Sequence, residues 1–490
     1  MKRDSLALYM RHITLAGTLL LLAGCQTILT NNSSSVGGVS PAVTSPVASV
    51  EREIGAREHP KIIKSYGGLY SNSKLENMLS KLVGRLVAAS PEPSRPYRVT
   101  ILNSPSINAF ALPGGYLYVT RGLLALANDK SELAAVLAHE MAHVTSRHAL
   151  ERAKAKQQSE LVSRALKNMV GDKTQAARIK VQNLVTLASF SQVQELEADR
   201  LGIETAFRAG LDPFAAGRFL KSMGAYAQFL TGRADNDPKA NFLSSHPTTP
   251  ERIQAATFAA RRFSGPNVGN REQEEYLNAL DGMLFGDSPD EGFVRGRSYI
   301  HPHLRIAFTL PQGYRLENTS KAVLAVAKNG TAMRFDGVSV SRDVPLTNYL
   351  TSGWVTGLLT GSIRQQQING NEAVMATAKA KGWTFRIAVI RIQSATYRFV
   401  FATTKPNAAF ESNVAETFQS FRKLTAQQAM DFKPLTIKII TAPQAAPATT
   451  YAAQMQGSDQ PERLFRLLNN VSGNTRIKKN QLVKLVIQQR

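Results

Sequence analysis

Residues 131–150 read SELAAVLAHEMAHVTSRHAL. Leucines, alanines and valines recur here at helical spacing, and Asp129 or Ser131 supplies an N-cap, so the stretch is expected to form one amphipathic helix. It contains His139-Glu140-Met141-Ala142-His143, an H-E-x-x-H pattern. Side chains four apart share a helix face, so the imidazoles of His139 and His143 can grip one metal ion. Glu140 follows the first histidine by one position, within reach of a water on that metal rather than of the metal itself. The bland alternative is a core helix with two incidental histidines. A capped, Ala- and Leu-rich context favours the metal helix.

Two histidines leave zinc undercoordinated, so a further ligand must come from elsewhere in the chain. Residues 176–209 carry a second helical pattern, closed by Gly210, with Asp212-Pro213 opening the next helix. Within it Glu195 and Asp199 are four apart and share a face. One of them can bind metal while the other orients a ligating histidine through its second ring nitrogen. Glu197 points about 200° away and is expected in solvent. His148, five residues past His143, falls on a different side of the helix and is expected to be structural or solvated. His301 and His303 have no matching partner spacing and are expected to be non-catalytic.

The 490 residues suffice for two or three domains, and an apolar fraction of 43% is ordinary for a globular chain. Lysine and arginine outnumber acids by 59 to 36, a net charge of +23. That balance suits nucleic acid, but also anionic envelope polymers and lipid headgroups. The amino terminus selects the second group. Lys2, Arg3 and Arg11 precede an apolar run, Ile13 to Gly24, which is too short to span a bilayer and is typical of a signal peptide (1–24). Leu22-Ala23-Gly24-Cys25 resembles the lipobox of bacterial lipoproteins. The resemblance implies cleavage before Cys25, the only cysteine in the chain, and its lipidation. Gln26 in place of aspartate implies the periplasmic side of the outer membrane. The alternative is an ordinary cleaved signal with a stray cysteine. Export argues against nucleic acid as a partner.

Residues 25–50 then read as a flexible Ser/Val/Gly/Thr/Pro tether. A folded segment is expected over 51–263. It opens with a capping box at Ser73-Lys-Leu-Glu76 and a helix bearing Leu75, Met78, Leu79, Leu82, Val83, Leu86 and Val87 at three- and four-residue spacing. Strands are expected at Tyr97–Leu102 and Tyr116–Thr120. Between them lies Asn108-Ala109-Phe110-Ala111-Leu112-Pro113-Gly114-Gly115. This is either a plain turn or an edge strand whose Asn108, Ala109 and Phe110 pair with substrate backbone.

On these residues, the segment from about Glu51 to Arg261 resembles the HtpX and CAAX-prenyl-protease type of zinc metallopeptidase, within the gluzincins. It is most similar to the bacterial lipoprotein branch tied to outer-membrane protein quality control. The resemblance rests on NAFALPGG, the HEMAH helix, the Glu195/Asp199 pair, and His246-Pro247 followed by Arg252. It implies that His139, His143 and Glu195 bind one zinc ion per chain, that Glu140 is the general base, and that Asp199 and Arg252 support the ligands. It further implies that His246 lies over the site, either steadying the oxyanion or occupying the fourth zinc position as a latch. The implied activity is zinc-dependent endoproteolysis of unfolded or misassembled envelope proteins. Two alternatives stay open: a latched protease acting mainly as an outer-membrane assembly factor or chaperone, and a peptidoglycan-associated scaffold.

Beyond Arg261 the texture changes. Residues 264–296 read as a linker, and 297–425 as an α+β domain of antiparallel strands, with Phe410, Val414, Phe418 and Phe421 on one helix face. Trp354 and Trp383 are expected in its core. No helical repeat of the tetratricopeptide period is found. Residues 434–490, after the Ala/Pro/Thr-rich break at Ala442–Thr450, give strand, helix, strand. They resemble a degenerate LysM-like module, which lacks the usual turn and either binds peptidoglycan glycan or serves as a structural cap. The expected fold class is therefore α+β: a mainly helical zincin-type domain with a small edge sheet, an antiparallel-sheet domain, and a small C-terminal module.

Overall fold

The computed structural model describes residues 46–152, 190–230, 245–266 and 268–489. The expected signal peptide, Cys25 and most of the tether lie outside the described residues, as do residues 176–189 of the second helical pattern. Helix α1 (Pro46–Ser65) starts inside the stretch expected to be a tether. Packing explains this: a Cβ at Gly55 would lie 2.5 Å from Pro113 O and the Tyr116 ring, so the helix sits directly on the turn of the first sheet. Among the described residues no helix is long and apolar enough to cross a membrane.

Helix α2 (Ser73–Ala89) is capped by Asn72, one residue before the expected Ser73; the Asn72 side chain accepts from Leu75 N–H while Glu76 reaches back to Asn72 N–H. Six of its seven expected apolar residues are buried, and Val87, near the helix end, is half-buried against the same core. Strands β1 (Arg98–Leu102), β2 (Ala109–Leu112) and β3 (Tyr116–Thr120) form a sheet of order β1-β3-β2, with β1 parallel and β2 antiparallel to β3. Of the two readings left open for this stretch, plain turn or edge strand, β2 takes the edge position in the sheet. A short helix α3 (Arg121–Leu126) leads into α4 (Lys130–Thr145), the H-E-x-x-H helix, whose N-cap Asp129 accepts from Glu132 N–H at 2.7 Å.

Helix α4 departs from expectation twice. It is buried all round rather than along one stripe, with every residue from Lys130 to His143 inside. It also stops at Thr145 instead of running on to Leu150: Arg147 takes a left-handed φ of 55°, and helical structure resumes at His148. Across α4 lies α5 (Gln192–Arg208), opened by a Ser191/Gln194 capping box; α6 (Ala215–Leu230) and α7 (Pro250–Arg261) complete the layer. In α7, Thr249 accepts from Arg252 N–H and Pro250 occupies the first turn, where its missing N–H costs nothing.

The stretch 264–296 is not a linker. Helix α8 (Gln273–Leu280) buries Tyr276, Leu277 and Leu280 in the same core as α2 to α4, and Tyr276 donates to Leu124 O at 2.7 Å. Its polar sequence reflects one solvated face, which concealed the apolar one. Strand β4 (Leu284–Phe285) follows.

The region beyond is sheet-rich, with more strands than the sequence pattern showed and the first of them ahead of residue 297. Strands β5 (Phe293–Arg295), β6 (Ser298–His301) and β7 (Ile306–Thr309) join β15 (Arg422–Lys423) in one sheet. Strands β8 (Tyr314–Asn318), β9 (Val323–Ala327), β10 (Ala332–Val338), β11 (Arg364–Ile368), β12 (Asn371–Ala380), β13 (Trp383–Ile392) and β14 (Ala395–Thr403) make an antiparallel sheet of order β11-β12-β13-β14-β10-β9-β8. Phe410, Val414 and Phe418, on the helix Ala408–Ser420, pack into its aromatic core. Trp354 is half-buried, with the Arg398 guanidinium 4.6 Å over its ring. Trp383 is not core: it is 37% exposed at the start of β13, beside the Lys381-Gly382 turn.

Residues 434–490 do not stand apart as a module. Strand β16 (Leu435–Thr441) pairs with β4 on one side and β17 (Leu482–Gln488) on the other. Ile437, Phe465, Leu468, Val483 and Val486 belong to the apolar core that also holds Leu79, Leu123 and Leu133. Lys484 is fully buried and its Nζ donates to Ala125 O and Ala127 O, each at 2.8 Å, at the end of α3. The apolar faces of this strand–helix–strand unit are covered by the helical domain, which a pattern internal to the unit cannot reveal.

Candidate metal centre

Four side chains from three chain segments converge under α4. His139 and His143 come from its buried face, Glu195 from the first turn of α5, and His246 from the stretch before α7. One donor atom from each lies within 4.8 Å of all the others. His139 Nε2 is 3.0 Å from His143 Nε2 and 3.3 Å from His246 Nδ1. Glu195 Oε1 is 2.8 Å from His246 Nδ1 and 3.5 Å from His143 Nε2, and its Oε2 is 3.6 Å from His139 Nε2. A tetrahedral zinc with bonds of ~2.0–2.1 Å has ligand–ligand edges of ~3.3 Å, so this donor set fits such an ion.

Burial decides the protonation states. It depresses the His143 imidazole to about 3, which leaves it neutral, the form that ligates. Burial would also depress His139, but the Asp199 carboxylate, 2.9 Å from its Nδ1, outweighs that and raises it. Burial alone would raise Glu195; hydrogen bonds with His143 and His246 instead hold it well below the usual carboxylate range. Asp199 is likewise pushed up by burial and pulled further down, to about 2, by Arg252 and His139. Arg252 serves both carboxylates: Nη1 lies 2.6 Å from Glu195 Oε2, while Nε and Nη2 donate to Asp199 at 2.7 and 2.8 Å. Glu140 differs. Burial raises its pKa, and its Oε1 is buried without a hydrogen bond, 3.5 Å from His246 Nε2.

None of the residues singled out in the NAFALPGG stretch is among the converging donors. Asn108 turns inward, donating to Tyr66 OH, while its backbone pairs with Thr120. Ala109 is fully buried, and the Phe110 ring stacks 4.8 Å from Tyr118. Since Asn108 pairs with Thr120, antiparallel alternation turns the backbone groups of Ala109 and Ala111 toward the open edge of β2. What that strand can offer a peptide is therefore main chain rather than these side chains.

Three neighbours were not assigned to the site from the sequence: His148, expected to be structural or solvated, and Phe190 and Arg152, which went unread. His148 is buried, with Nδ1 2.8 Å from His143 Nδ1. Phe190 stacks on the His143 ring at 3.9 Å, and its N–H donates to Ser245 O, next to His246. The Arg152 guanidinium covers the Phe190 ring at 4.2 Å. The break after Thr145 turns His148 and Arg152 back toward the site, and no local pattern announces it. Phe190 stands in no motif.

Residues 72–259 match the model of Peptidase family M48, whose members are zinc-dependent. The beta-barrel assembly-enhancing protease of Yersinia pestis is 30% identical over 228 residues, covering 44% of this chain and 45% of that protein. Its Escherichia coli (strain K12) counterpart is 30% identical over 219 residues, 43% of each chain. The mitochondrial metalloendopeptidase OMA1 of Schizosaccharomyces pombe is 30% identical over 207 residues, 42% of this chain and 59% of that one. The chain thus spans about half the length of the curated relatives it matches. The match to Peptidase family M48 and these metalloendopeptidase relatives together support a metalloprotease built on residues 72–259.

Proposed function

We propose that the chain is a zinc-dependent endopeptidase that hydrolyses misfolded or misassembled proteins of the bacterial envelope, held to the outer membrane on its periplasmic side through a lipidated Cys25. The observation that carries the hydrolase reading is the convergence of His139, His143, Glu195 and His246 beside an unbonded, buried Glu140 carboxylate oxygen. The substrate class rests on relatives named as beta-barrel assembly-enhancing proteases.

A zinc ion in this site supplies Lewis-acid polarisation of a carbonyl and a water acidified to about 7. The side chains do the rest. Glu140, whose burial raises its proton affinity, takes the proton from the attacking water and returns it to the leaving amine. Asp199 fixes the His139 ring, and Arg252 neutralises both carboxylates so that the site tolerates burial. The open edge of β2 aligns the substrate by main-chain pairing.

One observation favours a latched form of the same enzyme. His246 Nδ1 is itself among the four converging donors, so a ring held there competes with water and substrate for the fourth corner. Displacement of the ring would free that corner, and would move Nε2 relative to Glu140.

The test is proteolysis of an unfolded casein by the full chain, with and without chelator, beside zinc analysis. Glu140→Gln should retain zinc and lose about 10²–10⁴-fold in rate, and His246→Ala should raise the rate if the latch reading is right. Turnover of Glu140→Gln at the wild-type rate removes Glu140 from the reaction.

A further inference from the structure

His139 and His143 project from one helix as equivalent halves of the H-E-x-x-H pattern, yet their second nitrogens are served differently. The His139 Nδ1 meets a carboxylate, Asp199, at 2.9 Å. The His143 Nδ1 meets another ring nitrogen, His148 Nδ1, at 2.8 Å. Two nitrogen lone pairs do not face each other at that separation unless a proton lies between them. The question is which ring owns it.

The geometry answers. His143 Nε2 points into the donor cluster, 3.0 Å from His139 Nε2 and 3.5 Å from Glu195 Oε1. To serve as a ligand that atom must be bare. A neutral imidazole carries one N–H, so the proton of His143 belongs on Nδ1. His148 Nδ1 must then accept, and the proton of His148 belongs on Nε2. That atom faces Glu197 Oε2 at 3.5 Å, and Ser146 Oγ donates to the other oxygen of the same carboxylate at 3.4 Å. The opposite assignment puts a proton on His143 Nε2, aimed at the other donors, and destroys the ligand.

We propose that His148, itself oriented by Glu197, is a positioning residue that fixes the tautomer and rotation of His143 for metal binding. The inference rests on the reading of His143 as a zinc ligand. The backbone is built for it: the left-handed turn at Arg147 breaks α4 one turn after His143 and brings His148 back, 2% exposed, against the ring it serves. Glu197, on the face of α5 that turns away from the metal, thereby acquires a role at one remove. The two ligands of one helix are thus anchored to opposite edges of α5, His139 through Asp199 and His143 through His148 and Glu197.

The experiment measures zinc affinity of the full chain by competition with a chromophoric chelator, and the visible spectrum of the cobalt-loaded protein. His148→Leu removes the acceptor at similar volume; His148→Asn sets a carbonyl oxygen near the lost Nδ1. His148→Leu should bind zinc about 10–100-fold more weakly and shift the cobalt spectrum, His148→Asn should recover most of both, and Glu197→Gln should lose less than His148→Leu. Thermal unfolding of the zinc-free variants separates a folding defect, which would lower Leu and Asn alike. Wild-type affinity in His148→Leu, or equal weakening by Leu and Asn, overturns the proposal while leaving the metal site standing. Wild type and Glu195→Gln binding zinc equally, or not at all, would instead overturn the site itself. Should His148→Leu fail to fold, Glu197→Gln still decides: wild-type zinc affinity together with an unchanged cobalt spectrum in that variant refutes the relay.

Discussion

At the scale of single residues, the site is a balance of buried charges. Asp199 illustrates it: burial would lift its carboxyl, yet Arg252 and His139 hold it at about 2 against an ordinary value of 3.8. A folded value below the unfolded one means that the interaction stabilises above pH ~4 and fades as pH falls through 2. Asp199→Asn should therefore cost on the order of 2 kcal/mol at neutral pH, with the gap to wild type shrinking between pH 4 and pH 2. Urea unfolding across that range checks it, and a pH-independent gap refutes it. The pairing of Glu195 with Asp199 was legible because four residues in a helix make one face. The same angular reasoning turned Glu197 to another face and into solvent, where its side chain is 45% exposed while one oxygen still reaches His148 Nε2 at 3.5 Å. Nothing local says that a second histidine waits on that other face.

At the scale of elements, the crossing of α4 and α5 decides whether ligands from distant segments meet. The closest approach is at Gly202, where a Cβ would lie 2.9 Å from His139 N and 3.2 Å from its Cα. These are backbone atoms and cannot swing aside. Gly202→Ala gains ~1 kcal/mol of helix propensity but forces the helices apart, and overpacking costs ~1–3 kcal/mol, so the net sign should be destabilising, with weaker zinc binding. Gly84 in α2 is the control: nothing lies within 4 Å of its Cβ position, so Gly84→Ala should be neutral or stabilising by up to ~1 kcal/mol. Denaturant midpoints distinguish the two; stabilisation of Gly202→Ala would contradict the packing argument. Element identity was mostly legible here, since caps and periodicities are local. Strand β12, with four alanines and only two β-branched residues in ten, was not; its pairing with β13 supplies the strand.

At the scale of the whole molecule, the helical domain is discontinuous. The α+β domain from β5 to β15 is inserted between β4 and β16, and the chain then returns to finish the first core. Lys484 marks the return: burial pushes its ammonium down to about 7, and it donates to Ala125 O and Ala127 O just before the cap of the metal helix. Lys484→Met should destabilise by ~1–3 kcal/mol per orphaned carbonyl. A chain ending at residue 433 should fail to give a protease-resistant core from residues 46–285, as read by limited proteolysis. A stable, zinc-binding truncated chain would show that the last segment is separable after all.

The sequence by itself determined the shared face of the histidine pair of α4, its Asp199-bearing partner and the helix and strand types around them, because each is set within one or two turns of chain. Tertiary structure alone decided that His246 comes within donor distance of the other three side chains, that His148 meets His143, and that residues 435–486 belong to the first core. The reason is that burial of apolar surface is non-directional. A hydrophobic pattern states which face will be covered; only the assembled fold chooses what covers it.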